Sequence, residues 1–169
     1  MRLFIIRHAD PDYSIDSLTP KGWREAELLS DRIAKLDVKA FYCSPLGRAQ
    51  DTASLTLKKM GREAVTLDWL KEFYYCRVKL PYTNGERVIT WDLLPSFFTK
   101  IDALYDKDEF MNVDFMKEGN YPELYKNITD GLDELLATHG YVRNGRYYDA
   151  AKPNRDTIVF FCHFGIECQ

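Results

Sequence analysis

Residues 2–8 read RLFIIRH and residues 157–163 read TIVFFCH. Each is an unbroken apolar run that stops at a histidine, and the chain holds three histidines in all. Short continuous apolar runs of this kind are what a parallel sheet buries on both faces, so both segments are expected to be fully buried strands. Parallel strands bring their carboxyl ends to one edge of the sheet, where ligands of open α/β sheets bind. His8 and His163 would then converge from opposite ends of the chain.

Outward from the first run, ADPDYSIDS (9–17) is a loop by composition. Thr19-Pro20 pairs an N-cap with proline at the first helical position, and Trp23, Ala26, Leu29, Ile33 and Leu36 hold helical spacing to about Leu36. AFYC (40–43) is the next strand. Ser44-Pro45 repeats the cap-and-proline device and opens a helix to about Met60, stopped by Gly61. AVTLDWL (64–70) is a third strand. The alternation predicts an α/β fold: a three-layer αβα sandwich on a mostly parallel central sheet. Ser44 and Glu72 also fall just past strand ends.

Residues 73–120 break this rhythm with aromatic residues and turn formers (Pro81, Asn84-Gly85, Pro95, Gly119). They are read as a cap or lid inserted into a single domain, 1–169, with a helix around residues 90–104. Phe73, Tyr74, Tyr75, Tyr82, Trp91, Phe97 and Phe98 are expected to form the lid's own core. A helix is predicted over residues 122–138, with His139 a helix-end residue. Asn144-Gly145 inside YVRNGRYY (141–148) predicts a hairpin with a type I′ turn.

The chain has 169 residues, 46% of them hydrophobic and 29% charged, which suits one globular domain. Its 23 basic and 26 acidic residues leave a net charge of −3 and no basic cluster, so no nucleic-acid partner is expected. The apolar runs are too short to span a membrane, and Met1 leads directly into a core strand without room for a signal peptide. Cys43, Cys76, Cys162 and Cys168 lack C-x-x-C spacing and are read as reduced thiols of a cytoplasmic protein. Nothing in the sequence indicates an oligomeric state.

Several segments together carry a family resemblance. R-H-A-D (7–10) after an apolar strand resembles the R-H-G/A signature of the histidine phosphatase superfamily, which includes the cofactor-dependent phosphoglycerate mutases. L-T-P-K-G-W-R-E-A-E-L-L (18–29) is similar to that family's first helix. F-Y-C-S-P-L-G-R-A-Q-D-T-A (41–53) is similar to its S-P-x-x-R-A-x-x-T-A segment. L-K-E (70–72) fits the place of its acid, and F-F-C-H-F-G (160–165) its second histidine. The resemblance implies that His8 is the nucleophile, forming a phosphohistidine, and that Arg7, Arg48 and His163 bind the phosphoryl group. It implies that Glu72 is the general acid and base, and that Ser14 and Tyr75 are substrate contacts.

The residue types suit that chemistry. Neutral imidazole is a nucleophile available near neutral pH. Arginine forks stabilise charge on the phosphoryl oxygens, and Arg48 lies in the first turn of a helix, whose amino end favours anions. A carboxyl kept protonated by burial or nearby negative charge can protonate the leaving alkoxide, and Asp68 or Glu63 could stand in for Glu72. The scheme requires no metal or other cofactor, and the spacing of residues suggests no ligand cluster for one.

Two departures matter. Phe164 follows the second histidine where the family usually has glycine. The chain also ends six residues after His163, where the family would add a helix on the sheet, so the natural chain is expected to continue past Gln169. The leading expectation is a metal-independent phosphomonoester hydrolase acting on a small phosphorylated metabolite. The alternatives are a phosphoglycerate mutase-type phosphoryl transferase, for which paired arginines are missing from residues 76–120, or a catalytically silent member that binds a phosphorylated ligand or a protein.

Overall fold

The computed structural model describes residues 1–73, 76–90 and 92–167. They form two compact units: Met1–Glu72 with the stretch from Gly131 onward, and Phe73–Asp130. The second unit thus extends ten residues beyond the segment expected from composition.

The first unit is built on a four-stranded parallel sheet. Its strands are β1 (Arg2–Arg7), β2 (Ala40–Cys43), β3 (Val65–Thr66) and β4 (Thr157–Cys162), in the spatial order β1-β4-β2-β3. Arg7 lies beside Cys162 and Phe161 beside Cys43, so the three longest strands end level with one another. The last strand of the chain is inserted between the first two, which sets His8 and His163 on neighbouring strand ends.

Every residue of β4 is buried, as its apolar run predicts. β1 departs from the same expectation. It is an edge strand, with Phe4 and Ile6 packed on the core while Leu3 and Ile5 are 44% and 55% exposed. An apolar run cannot say whether its strand is central or at an edge.

Helix α1 (Pro20–Ile33) opens as the sequence implies, with Thr19 Oγ1 accepting the Gly22 N–H at 3.1 Å and Pro20 in the first turn. Helix α2 (Gly47–Met60) does not. Its N-cap is Leu46, without a side-chain cap bond, and Pro45 precedes it; Ser44 is occupied elsewhere. Gly61 closes α2 in the left-handed region (φ +61°), a C-cap that costs glycine no Cβ clash. The core between these helices and the sheet comprises Ile33, Val38, Phe41, Cys43, Ala49, Ala53, Val159 and Phe161. On the other face of the sheet Tyr42 stacks on Phe160, ring centroids 5.3 Å apart. Its hydroxyl meets His139 Nε2 at 2.7 Å, just past α3 (Tyr121–Thr138). His139 thus stands at the helix end, as its place in the sequence implies.

Other elements are shorter than expected. The strand over 64–70 is only β3, followed by a 3₁₀ turn at Asp68–Leu70. The helix expected over 90–104 is reduced to Pro95–Phe98 and a 3₁₀ turn at Asp102–Tyr105. Pro95 can begin a helix but, lacking an N–H, cannot continue one from before it. In the hairpin Tyr141–Asn144 with Tyr147–Ala150, Asn144 pairs with Tyr147. The turn therefore centres on Gly145-Arg146, and of these only Gly145 has positive φ (+61°), the II′ pattern in place of I′.

The second unit has an aromatic core. Phe73 packs edge-on against Tyr121 at 5.1 Å, Tyr82 against Phe97 at 5.2 Å, and Phe98 against Tyr105 at 5.1 Å. Tyr74, Tyr75 and Trp91, expected in the same core, lie outside the described residues. Cys43 and Cys76 are buried thiols, and burial raises both, Cys43 to about 12. Among the described residues no helix is long and apolar enough to cross a membrane.

Candidate active site

The level strand ends place four groups together. His8 follows β1 and His163 follows β4, with ring centroids 5.3 Å apart. Ser44 follows β2, and its Oγ lies 2.7 Å from His163 Nε2. Glu72, beyond the 3₁₀ turn, accepts the Gly165 N–H on Oε1 at 2.8 Å, and its Oε2 lies 3.8 Å from His163 Nδ1.

The tautomer of His8 follows from its surroundings. Nδ1 lies 2.8 Å from the Ala9 carbonyl oxygen, which can only accept, so Nδ1 carries the hydrogen. Nε2 is left with its lone pair, buried and without a partner. Burial lowers the His8 imidazole below its ordinary value; the Ala9 carbonyl opposes this, and the charges of Arg48 and Arg7 add to the lowering. His163, fully buried, is pushed down to about 3 by burial first and then by Arg48 and His8. Both rings are therefore neutral near neutral pH.

Arg48 is the second residue of α2 and is buried, whereas Arg7 is exposed at the end of β1. Arg48 Nη2 stands 4.0 Å from Glu72 Oε2, the limit of an ion pair. Its stronger partner is Asp16, whose Oδ1 accepts from Nη1 at 2.6 Å. Asp16 Oδ2 accepts the Gly47 N–H at 2.7 Å. The amino end of α2, expected from sequence to favour an incoming anion, thus already has one from the protein. Burial works to raise the Asp16 carboxyl, but the Gly47 N–H and Arg48 outweigh it and hold the group below the usual carboxylate range.

Aromatic rings flank both arginines. Tyr13 lies 5.4 Å from the Arg48 guanidinium and meets His8 edge-on at 6.5 Å. Phe164 lies 5.8 Å from the Arg7 guanidinium. A cleft of about 210 Å³ opens beside His8 and is lined by Arg7, Asp10, Lys21 and Glu25 among others. Lys21 is bridged to Asp10 at 3.6 Å and to Glu25 at 3.4 Å.

Of the sequence-expected residues, His8, Arg7, Arg48, His163 and Glu72 come together, while Asp68 is turned to Lys71 in the 3₁₀ turn. Ser14 does not join them: it is exposed on the loop, with both its hydroxyl and its N–H donating to Asp12 Oδ1. Tyr75 lies outside the described residues. Phe164 leaves the pocket uncrowded, since its ring is half exposed and the N–H that reaches Glu72 belongs to Gly165. The sequence suggested no metal cluster, yet folding places a ring nitrogen of His8, one of His163 and a carboxylate oxygen of Glu72 within 4.8 Å of one another.

Sequence reasoning missed three residues. Asp16 had one available signal, an acid in a short loop leading from a strand end to a helix. Ser44 falls at the edge, but the Ser-Pro pair has the pattern of a helix cap. Thr52, whose Oγ1 accepts the Ala9 N–H at 3.0 Å and donates to the Arg48 carbonyl at 2.7 Å, looked like any interior helix residue.

An imidazole with an open lone pair, set among cationic donors at the carboxyl edge of a parallel sheet, defines a site for an anionic group such as a phosphoryl. The chain belongs to the histidine phosphatase superfamily (branch 1), whose sequence profile matches residues 3–87. A 2,3-bisphosphoglycerate-dependent phosphoglycerate mutase of Thermoplasma acidophilum is 33% identical over 37% of this chain and 36% of its own length. A Hydrogenobacter thermophilus protein provisionally named phosphoserine phosphatase 2 is 34% identical over 44% of this chain and 41% of its own. The matches thus span less than half the length of these curated relatives. The α-ribazole phosphatase of Shigella flexneri superposes with a TM-score of 0.59 at 18% identity, covering 99% of this chain and 76% of that one. At that identity the likeness speaks to the fold alone.

Proposed function

We propose that the chain is a metal-independent phosphomonoester hydrolase working through a phosphohistidine at His8, with a small phosphorylated metabolite as substrate. The observation that carries this reading is the His8 tautomer: the Ala9 carbonyl holds the hydrogen on Nδ1, which leaves the buried Nε2 lone pair open to attack phosphorus.

In the first half-reaction Nε2 bonds to phosphorus, the bond from phosphorus to the ester oxygen breaks, and the leaving oxygen takes a proton from the Glu72 carboxyl. In the second, the Glu72 carboxylate takes a proton from water, the water oxygen attacks phosphorus, and the bond from phosphorus to Nε2 breaks to release inorganic phosphate. Arg48 and Arg7 stabilise the charge on the equatorial oxygens. Asp16 keeps Arg48 in place at 2.6 Å, so little reorganisation is needed as that charge develops. Ser44 orients His163 from behind.

Hydrolysis is favoured over mutase chemistry because a mutase must also grip a second acidic group. The cleft beside His8 adds one lysine, Lys21, and Asp10 and Glu25 already neutralise it. Buried thiols such as Cys43 and Cys76 suit a reducing compartment such as the cytoplasm.

The test is turnover of a chromogenic aryl phosphate with and without EDTA, alongside His8→Ala. Turnover that survives EDTA and disappears in the variant supports the reading. Interconversion of phosphoglycerates primed by 2,3-bisphosphoglycerate, without net phosphate release, would assign a mutase. Binding of inorganic phosphate with no turnover of any ester would assign a silent member.

A further inference from the structure

We propose that the pocket between His8 and His163 is also a capture site for a divalent transition-metal ion of the zinc type, with His8 Nε2, His163 Nδ1 and Glu72 Oε2 as ligands.

Three independent features point to it. The ligand atoms are close: a nitrogen from each ring and a Glu72 oxygen lie within 4.8 Å of one another, and His163 Nδ1 is 3.8 Å from Glu72 Oε2. A tetrahedral ion with bonds of about 2.0–2.2 Å sets its ligands roughly 3.3 Å apart, so the group must contract by about 0.5 Å on that edge and by up to about 1.5 Å elsewhere. The contraction falls to side-chain rotation together with small shifts of the strand and turn ends from which all three groups project.

The two nitrogens are also unsatisfied. His163 is 0% exposed and His8 5%, and neither His163 Nδ1 nor His8 Nε2 has a hydrogen-bond partner. A buried nitrogen without a partner retains its desolvation cost, and a coordinated ion would remove that cost for both rings at once.

The third feature is the outer shell. Metal-binding imidazoles have their second nitrogen held by a carbonyl, carboxylate or other fixed group, which sets tautomer and ring orientation. Here His8 Nδ1 is held by the Ala9 carbonyl at 2.8 Å and His163 Nε2 by Ser44 Oγ at 2.7 Å. The oxygen of Glu72 that would not ligate already accepts the Gly165 N–H at 2.8 Å. Every ligand therefore has its far side anchored: the Ala9 carbonyl fixes the His8 tautomer, and the Ser44 hydroxyl can accept from His163 Nε2 when Nδ1 coordinates.

The arginines oppose a cation, but Arg48 is paired with Asp16 at 2.6 Å and has Glu72 4.0 Å away, while Arg7 is exposed and screened by solvent. An ion bound here takes the His8 lone pair, so it would inhibit any chemistry that uses that nitrogen. The inference concerns binding and stands whether or not the hydrolase reading is correct.

The experiment titrates zinc chloride alone into the chelator-treated 169-residue chain at about pH 7.5, with bound zinc measured by equilibrium dialysis. One ion per chain is expected. Loss of a direct ligand should cost at least the roughly 10–100-fold that outer-shell changes cost, so His8→Asn and Glu72→Gln should each weaken binding by that much or more. Asp31→Asn, an exposed carboxylate in the last turn of α1, should leave binding unchanged. Circular dichroism checks that each variant is folded. Cobalt in place of zinc should show a visible d–d band of a nitrogen and oxygen site without thiolate-to-metal charge transfer. Absence of zinc binding at about 100 μM, equal binding by the folded ligand variants, or a thiolate signature would each overturn the proposal.

Discussion

The Asp16 carboxylate holds the Arg48 guanidinium on one oxygen, at 2.6 Å, and the Gly47 N–H on the other, at 2.7 Å. Asp16 does so from a left-handed backbone conformation, φ +48°, which is uncommon for a residue with a side chain. The loop between β1 and α1 is thus wedged against the start of α2, and the buried arginine of the site is held by a residue 32 positions away.

Asp16→Asn keeps the shape and the acceptor for Gly47 but removes the charge facing Arg48. Hydrogen bonds to charged groups contribute about 1.5–3 kcal/mol, and Asp16 is partly exposed, so the lower end applies. A roughly tenfold drop in kcat/KM for an aryl phosphate is expected, with His8 still able to be phosphorylated. Unchanged steady-state kinetics would reduce Asp16 to a helix cap.

Gly47→Ala tests the same contact from the other side. A Cβ at Gly47 would lie 2.0 Å from the Asp16 carbonyl oxygen and 3.3 Å from its carboxylate, so the backbone of the loop must move. Overpacking of this kind costs about 1–3 kcal/mol. The denaturation midpoint should fall accordingly and activity should drop with it. A variant as stable and active as the parent would show that the loop adjusts freely.

Phe164→Ala addresses Arg7. The guanidinium lies 5.8 Å from the Phe164 ring, and an exposed cation–π contact is worth about 0.5–1 kcal/mol. Removing the ring should free Arg7 and lower kcat/KM by roughly two- to fivefold. Unchanged kcat/KM would mean that the Phe164 ring does not position Arg7.

Stability should decline on mild acidification of the metal-free chain. His163 is held down to about 3 by burial, against about 6.5 for an exposed histidine. Between those values the unfolded chain takes up a proton that the folded chain refuses. Stability is therefore complete above about pH 6.5 and is lost as pH falls. His8 and His139, also lowered chiefly by burial, act with the same sign. From about pH 7.5 to about pH 5, His163 alone should remove roughly 2 kcal/mol. Urea unfolding at the two values, with EDTA present, measures this; equal stabilities would contradict a neutral, buried His163.

By itself the sequence determined what depends on neighbours along the chain. Its apolar runs marked the sheet strands and placed His8 and His163 at strand ends. Thr19-Pro20 opened α1 and Gly61 closed α2, because capping is a matter of one turn of backbone. The family resemblance singled out Arg7, Arg48 and Glu72, which the fold brings near the two histidines. Tertiary structure alone decided which of two similar apolar runs became the buried central strand: β4 entered between β1 and β2, leaving Leu3 and Ile5 of β1 exposed. It also turned Ser44 from an expected cap into the partner of His163 and brought Asp16 to Arg48 and the Gly165 N–H to Glu72. These pairs are separated by 32 to 119 positions. Their meeting depends on strand order and register, which are set by burial across the whole sheet and not by any local pattern of residues.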